Sequence, residues 1–154
     1  MYRPPQGQRR KATVLLVEDS RADQITVERA LEDGQVNCDL LIADNGSNAL
    51  KMLRGEAPYS DRERYPSPDL ILLDINMPVM DGRETLKAIR KDEQLHTIPV
   101  IMLTTSNNDQ DVEQSYNMGA NAFVTKPVCQ QDFVKAVVQM EQFWFELVTL
   151  PKHH

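Results

Sequence analysis

Short apolar runs recur along most of the chain, and each is followed by a more polar stretch with apolar residues at helical spacing. Apolar runs of this length, bounded by turn-forming residues, are typical of buried strands. They predict five strands, at 13–17, 39–43, 69–74, 98–103 and 121–125. Because these strands are almost continuously apolar, we expect a parallel sheet with both faces covered by helices.

Five helices are predicted between and after the strands. Ser20 is expected to cap the first helix, with Asp23 as its capping-box partner, and Gly34 to end it. The other four are expected at 45–53, 83–91, 110–118 and 129 to about 148. Alternating strands and helices with right-handed crossovers give an α/β fold with a doubly wound, five-stranded parallel sheet, for which we take the flavodoxin-like order 2-1-3-4-5.

The ends of the chain differ from its centre. Residues 1–11 are polar and basic and contain proline, which predicts a flexible N-terminal tail. We expect a single domain over 12–150 and a short C-terminal tail over 151–154. Residues 56–68 carry three prolines and many charges, and are expected to form a long surface loop.

Composition narrows the class of protein. The chain has 154 residues and a net charge of −6, which argues against a general nucleic-acid binder. No apolar run approaches the ~20 residues that cross a bilayer, so we expect no membrane association and a cytoplasmic location. Cys38 and Cys129 fit neither a disulfide framework nor a metal-binding spacing, and are expected to be reduced thiols.

Polar residues collect at the carboxyl ends of four predicted strands. The first strand ends in Glu18-Asp19, the third in Asp74, the fourth in Thr104 and the fifth in Lys126. In an open α/β sheet the site lies beyond these ends, where the direction of winding reverses. Since neighbouring strands are ~4.8 Å apart, the carboxylates of the first and third strands are expected to meet.

A divalent cation would relieve the repulsion between these carboxylates. Oxygen ligands favour Mg²⁺, with Mn²⁺ as the alternative ion. The expected ligands are Asp19, Asp74 and the backbone carbonyl of Asn76, with Glu18 acting through water. With Lys126 as a fixed positive charge and Thr104 as a hydroxyl donor, the set suits transfer of a phosphoryl group to Asp74.

Each feature also has an ordinary explanation when it is taken alone. Glu18 and Asp19 could simply stabilise a helix N-terminus, Lys126-Pro127 is a common turn, and Thr104 ends a strand.

A Mg²⁺-dependent phosphohydrolase usually needs a second acid two positions after the nucleophile, where Asn76 stands. A nucleotide-binding domain lacks its Gly-rich loop here. A phosphorylation-independent interaction module remains an alternative.

The polar residues at the strand ends resemble the motif set of response-regulator receiver domains, and the resemblance covers residues 12 to about 148. The motif set consists of Glu18-Asp19, Asp74 with Met77-Pro78 and Asp81-Gly82, Thr104, and Lys126-Pro127. The resemblance implies Mg²⁺-dependent phosphorylation of Asp74 by a histidine kinase, followed by slow self-dephosphorylation, with no other enzyme activity. It also implies that Phe123 is the switch aromatic and that the Lys126–Pro127 bond is cis. Thr104 would move toward the phosphoryl group, which adds about −1.5 to −2 charge, and vacate space for Phe123.

The match extends to one subgroup of the family. The long loop before the third strand, Asp81-Gly82-Arg83-Glu84 and the ending around Phe143-Trp144 resemble cyanobacterial response regulators that partner phytochrome histidine kinases. Thr105 departs from the small Ala common in the family, and Asn76 and Ser106 occupy positions that tune dephosphorylation. We therefore expect a stand-alone response regulator, with a phosphotransfer intermediate of a multistep relay as the alternative.

The last predicted helix has more apolar surface than one core needs. Its apolar residues over 133–150 cover an arc of roughly 240°, whereas a core-facing helix needs ~100°. We expect a homodimer through the fourth predicted helix, the fifth strand and this fifth helix, a face that dimerises in receiver domains. The candidate contacts are Val138, Glu141, Phe145 and Val148.

Overall fold

Five strands form one parallel sheet in the computed structural model, which describes residues 12–34, 36–77, 79–105 and 119–139. Of residues 137–139 only the backbone is described. The strands are β1 (Ala12–Val17), β2 (Cys38–Ala43), β3 (Leu70–Asp74), β4 (Val100–Thr104) and β5 (Ala122–Thr125). Their order is β2-β1-β3-β4-β5, with every pair parallel. The predicted fold class and strand order are confirmed.

Four helices are described: α1 (Arg21–Asp33), α2 (Gly46–Arg54), α3 (Gly82–Lys91) and a C-terminal helix (Gln130–Gln139). The helix predicted at 110–118 lies outside the described residues, as do the predicted tails and the remainder of the last helix beyond 139. Within the part of the chain that is described, no helix has both the length and the apolar character needed to cross a bilayer.

The sheet is covered on both faces, as its apolar strands predict. On one face Val14 and Leu16 of β1 pack with α1 and with the C-terminal helix. The contact from that helix is made by Phe133, whose side chain is fully buried. On the other face Leu15 and Val17 pack with residues of α2 and α3 such as Leu86. Alternate residues of one strand therefore enter opposite cores, and the carboxyl ends of the strands remain free to form a site.

Most predicted boundaries hold within one or two residues, and the clearest difference is at the start of β4. The apolar run predicts a strand from Ile98, but the strand begins at Val100. The N–H of Ile98 donates to the carbonyl of Leu95 in a turn, and Pro99 has no N–H to contribute to the sheet. The ladder therefore starts one residue after the proline.

The capping box predicted for α1 is wrong in one half. Ser20 caps the helix, and its hydroxyl accepts the N–H of Asp23 at 3.2 Å. The reciprocal bond is absent from these residues, because the N–H of Ser20 donates to Glu18 Oε2 at 3.1 Å instead. A complete capping box is formed at α3, between Asp81 and Glu84. The carboxylate of Asp23 is therefore available for another partner.

The surface loop at 56–68 is held by packing and by one arginine. Tyr59 and Tyr65 meet edge to face with ring centroids 5.0 Å apart. The guanidinium of Arg62 donates to the carbonyls of Met52 and Leu53 at 3.0 Å each, and these belong to the last turn of α2. The arginine satisfies carbonyls that a helix end leaves without intrahelical partners.

Candidate functional site

Asp74 is the last residue of β3 and is almost fully buried, with 3% of its surface exposed. Its Oδ1 accepts the N–H of Asn76 at 3.3 Å. Gly82, the first residue of α3, packs against the backbone here, and a Cβ at that position would overlap the carbonyl oxygen of Asp74. Sheet, turn and helix therefore fix the position of this carboxylate from three sides.

Two further carboxylates lie beside Asp74, in the loop that follows β1. One oxygen of each of Glu18, Asp19 and Asp74 lies within 4.8 Å of the others. Glu18 is fully buried, whereas Asp19 is exposed. Gln24 on α1 donates to the backbone carbonyl of Glu18 at 2.8 Å and so attaches this loop to the helix.

Lys126, the residue after β5, brings a positive charge to the same place. Its Nζ lies 2.6 Å from Glu18 Oε1, 2.9 Å from Asp23 Oδ2 and 3.2 Å from Asp74 Oδ2. An ammonium group has three protons, so each can be directed at one carboxylate. The side chain of Lys126 is only 9% exposed, which strengthens these interactions relative to surface pairs.

Burial and charge shift the pKa values of the site in opposite directions. Burial raises the pKa of Glu18 to about 7, although Lys126 and the N–H of Ser20 oppose the shift. Burial likewise raises the pKa of Asp74, against the lowering effect of Lys126. Burial lowers the pKa of Lys126, but its carboxylate neighbours outweigh that effect and the pKa of this ammonium is raised. The site therefore holds more negative charge than one lysine offsets.

The two remaining predicted site residues lie on the strands beside Asp74. Thr104 ends β4 and is buried, with 1% exposed. The backbone N–H of Lys126 donates to the carbonyl of Thr104 at 2.7 Å, so the carboxyl ends of β4 and β5 are joined. Phe123 on β5 is half-buried and packs against the core that contains β4 residues such as Met102. The predicted cis bond between Lys126 and Pro127 is present.

The acidic cluster fits Mg²⁺ or Mn²⁺. All its side-chain donors are oxygens, which suits a hard divalent cation. Glu18 and Asp74 are buried carboxylates with raised pKa values, and a cation would stabilise their charged forms. Asn76 is exposed and directly follows Ile75 at the same rim; its carbonyl remains a predicted ligand.

Sequence reasoning missed Asp23. Its side chain, predicted to cap α1, instead contacts Lys126 at 2.9 Å. The available signal was its position one helical turn after Asp19, which places a fourth carboxylate near the same rim. Of the predicted dimer contacts, Val138 lies in the C-terminal helix, and Glu141, Phe145 and Val148 lie outside the described residues.

Comparison with known proteins agrees with this geometry. The family model for the response regulator receiver domain matches residues 14–138. Response regulator Rcp1 of Synechocystis sp. (strain ATCC 27184 / PCC 6803 / Kazusa) is 43% identical over 138 residues, which are 90% of this chain and 92% of Rcp1. The chain belongs to the response-regulator receiver family, and as such it has the phosphoryl-accepting role of that family in two-component signalling.

Solved structures of other response regulators are also similar. The bacteriophytochrome response regulator RtBRR superposes with a TM-score of 0.81 at 36% identity, over 93% of this chain and 84% of that one. The phosphorylated cyanobacterial phytochrome response regulator RcpA gives 0.73 at 36% identity, over 93% and 100%. The Mn²⁺-bound form of Rcp1 gives 0.70 at 42% identity, over 92% and 99%.

Proposed function

We propose that Asp74 is the residue that accepts the phosphoryl group. The observation that carries this proposal is the convergence at one sheet rim of a buried carboxylate, two neighbouring carboxylates and a lysine within 3.2 Å of Asp74. Asp74 has no second acid two positions later, since Asn76 stands there. This arrangement supports an acceptor in preference to a phosphohydrolase.

In the proposed reaction, one carboxylate oxygen of Asp74 attacks the phosphorus atom of a phosphohistidine on the donor. A P–O bond forms as the P–N bond breaks, and the histidine nitrogen leaves with the bonding pair and takes up a proton. The product is an acyl phosphate on Asp74. Lys126 would stabilise negative charge on the phosphoryl oxygens, and the hydroxyl of Thr104 would donate to one of them.

The cation belongs to the same proposal. Glu18, Asp19 and Asp74 would hold Mg²⁺ or Mn²⁺, with the Asn76 carbonyl, and the ion would supply charge neutralisation at the phosphoryl group. The separation of at most 4.8 Å between their ligand atoms supports this assignment. Glu18 is the most buried of the three, and its place beside Lys126 fits a role through water.

The signal would leave the site through β4 and β5. Thr104 is buried at the end of β4, next to the end of β5 that carries Lys126. Movement of Thr104 toward the phosphoryl group would free space beside Phe123, which is only half-buried on β5. Thr104 and Phe123 are therefore the proposed switch residues.

The proposed donor is a histidine kinase of the phytochrome type. This rests on the similarity to RcpA and RtBRR, whose names tie them to phytochromes, and on the coverage of nearly the whole of RcpA. We infer a cytoplasmic location from this partnership and from the two described cysteines, Cys38 and Cys129, which are not joined by a disulfide. The chemistry proposed for the chain itself is limited to phosphorylation and slow self-dephosphorylation of Asp74.

The proposed output is a homodimer through the predicted fourth helix, β5 and the C-terminal helix. Phe133 and Ala136 are the buried residues of the described part of the C-terminal helix, and the wider apolar arc predicted from the sequence supports a second partner. Phe145→Glu places a charge in the predicted seam and should lower the hydrodynamic mass to that of a monomer. An unchanged mass would remove the seam from the account.

One experiment tests the acceptor assignment. The protein is mixed with a small phosphodonor and Mg²⁺, and its intact mass and oligomer size are measured. We expect a gain of one phosphoryl group that is absent in Asp74→Ala and absent when EDTA replaces Mg²⁺. No gain in the unmutated protein would overturn the acceptor role and favour a phosphorylation-independent interaction module. Onward transfer to a second histidine protein would support the relay intermediate.

A further inference from the structure

The three carboxylates around Lys126 are not equivalent. Glu18 and Asp74 belong to the acidic cluster, whereas Asp23 lies outside it, on the first turn of α1. A cation in the cluster would neutralise much of the charge that Glu18 and Asp74 present to Lys126. Asp23 would keep its full charge. In a metal-loaded site Asp23 would therefore be the strongest remaining partner of Lys126 among the three.

We propose that Asp23 is a positioning residue that draws Lys126 toward the α1 side of the site, so that Asp23 competes with the phosphoryl group for the ammonium and weakens the contacts of that ammonium with Glu18 and Asp74. The inference rests on the proposed function of Asp74 and Lys126. Its geometric basis is that Lys126 Nζ is shared: it lies 2.9 Å from Asp23 Oδ2, between the 2.6 Å contact with Glu18 Oε1 and the 3.2 Å contact with Asp74 Oδ2.

The local backbone leaves Asp23 free for this role. In a complete capping box its carboxylate would bind the N–H of Ser20, but Glu18 Oε2 accepts that N–H. The side chain of Asp23 is 38% exposed, so it is screened by water more than Glu18 is. Asp23 should therefore release Lys126 when a stronger anion, the phosphoryl group, arrives. A partner as buried as Glu18 would release it less readily.

The proposal makes opposite predictions for a cation and an anion. Without the charge of Asp23, the ammonium of Lys126 should interact more strongly with Glu18 and Asp74, and Mg²⁺ should bind more weakly. The same change should strengthen the hold of Lys126 on a phosphoryl-like anion, since its competitor is gone. Because Asp23 is partly exposed, the effect of its ion pair with Lys126 should be modest. The dissociation constant for Mg²⁺ should rise, and that for the anion should fall, each by about two- to fivefold.

The test uses the full chain and two probes, Mg²⁺ alone and beryllofluoride as a phosphoryl mimic. Dissociation constants are measured by calorimetry for Mg²⁺, and by ¹⁹F NMR for beryllofluoride at saturating Mg²⁺. Asp23→Asn should raise the constant for Mg²⁺ and lower that for beryllofluoride, and Asp23→Glu should restore both. Asp33→Asn, an exposed residue about 15 Å further along α1, removes the same charge and should change neither.

The outcomes separate this inference from the proposed function. If Asp23→Asn leaves both constants unchanged, or weakens both as partial unfolding would, the inference is overturned while the acceptor role stands. If the unmutated protein binds no beryllofluoride in Mg²⁺, the proposed function fails as well. In a Lys126→Met background, Asp23→Asn should alter Mg²⁺ binding less than in the unmutated protein. An equal change would show that Asp23 does not act through Lys126.

Discussion

Two partly buried cations tie separate elements together, one near each end of the sheet. Lys126 lies at the carboxyl ends of the strands and contacts three carboxylates. Arg90 lies near the amino ends of β4 and β5 and donates to neutral acceptors: the carbonyls of Gly119, His96 and Ile98 and the side-chain oxygen of Asn121. The two regions therefore differ chiefly in the charge of the acceptors: Lys126 faces carboxylates, whereas Arg90 faces neutral oxygens.

The pKa values express the same difference. Burial lowers the pKa of Arg90, and among its described neighbours no charge reverses the shift. Burial also lowers the pKa of Lys126, but the carboxylates raise it above its ordinary value. The neutral acceptors around Arg90 bind no other ion that could displace the guanidinium. Around Lys126, by contrast, the carboxylates can bind a metal ion in place of the lysine, and the lysine can bind a phosphoryl group in place of a carboxylate. Arg90 is thus a fixed clamp, and Lys126 belongs to a site whose charges can be rearranged.

Replacement of the clamp should produce the largest loss of stability. Arg90→Met keeps an apolar stem but removes the donor to the carbonyls of Gly119 and Ile98, which should cost about 3 kcal/mol of unfolding free energy. Urea unfolding measures the loss, and the neighbouring exposed Lys91→Met is the control. Addition of Mg²⁺ should not restore the loss, since the clamp is remote from the acidic cluster. A restoring effect of Mg²⁺ would break the distinction between the two regions.

Replacement of the site lysine should destabilise the protein in a way that metal reverses. Lys126→Met leaves Glu18, Asp23 and Asp74 facing each other, and should cost about 2 kcal/mol in EDTA, less than a sealed buried pair because the rim is open. Mg²⁺ should recover most of this and should bind more tightly than to the unmutated protein. Urea unfolding with and without Mg²⁺ is the measurement. Weaker Mg²⁺ binding in the variant would contradict the proposed competition between lysine and metal.

The buried acids of the site should make the metal-free protein sensitive to pH. The pKa of Glu18 rises from 4.5 in the unfolded chain to about 7 in the folded one. The folded state therefore binds more protons between these values, and stability should fall as pH rises from about 4.5 to about 7. The raised pKa of Asp74 acts in the same direction.

Unfolding in EDTA across this pH range measures the effect. Glu18→Gln should flatten the slope, and Mg²⁺ should oppose the fall at the upper end of the range by replacing the proton. Arg90→Met should leave the slope as it is in the unmutated protein. A slope that survives in Glu18→Gln at full size would assign the pH dependence to other groups.

The smallest effect is expected at Thr105, which is exposed directly after Thr104. Its bulk beside the site should slow the access of water to the phosphoryl group, so Thr105→Ala should shorten the phosphoryl lifetime with little change in stability. Decay of the phosphorylated form, followed by intact mass, is the measurement. Equal decay rates in the mutant and the unmutated protein would remove Thr105 from the account.

The sequence predicts the fold and the membership of the acidic rim well, for a physical reason. Strand ends follow from apolar runs, and parallel strands bring their carboxyl ends to one edge, so Glu18, Asp74 and Lys126 had to meet. Their pairing distances are consistent with that expectation. The capping box at Asp81 and Glu84 is equally local but was not predicted, and the similar pattern at Ser20 was misassigned.

The long-range partners were not predictable in the same way. Asp23 and Lys126 are 103 residues apart, and Arg90 and Asn121 are 31 apart. Asp23 can contact Lys126 because Glu18 accepts the N–H of Ser20, a contact that spacing along the chain does not encode. In the sequence, Arg90 has the character of an ordinary residue on a helix surface. Its contact with the carbonyl of Gly119 exists only because the folded sheet brings the two residues together.

The most direct test of the central claim is the chemical mapping of the phosphorylated residue. The protein is phosphorylated in Mg²⁺ by a small donor, reduced with borohydride, which converts an acyl phosphate of aspartate to homoserine, and digested for mass spectrometry. We predict homoserine at position 74 alone, with Asp19, Asp23 and the other aspartates unchanged. Homoserine at another position, or none in a protein that has gained a phosphoryl group, would contradict the assignment of Asp74 as the acceptor.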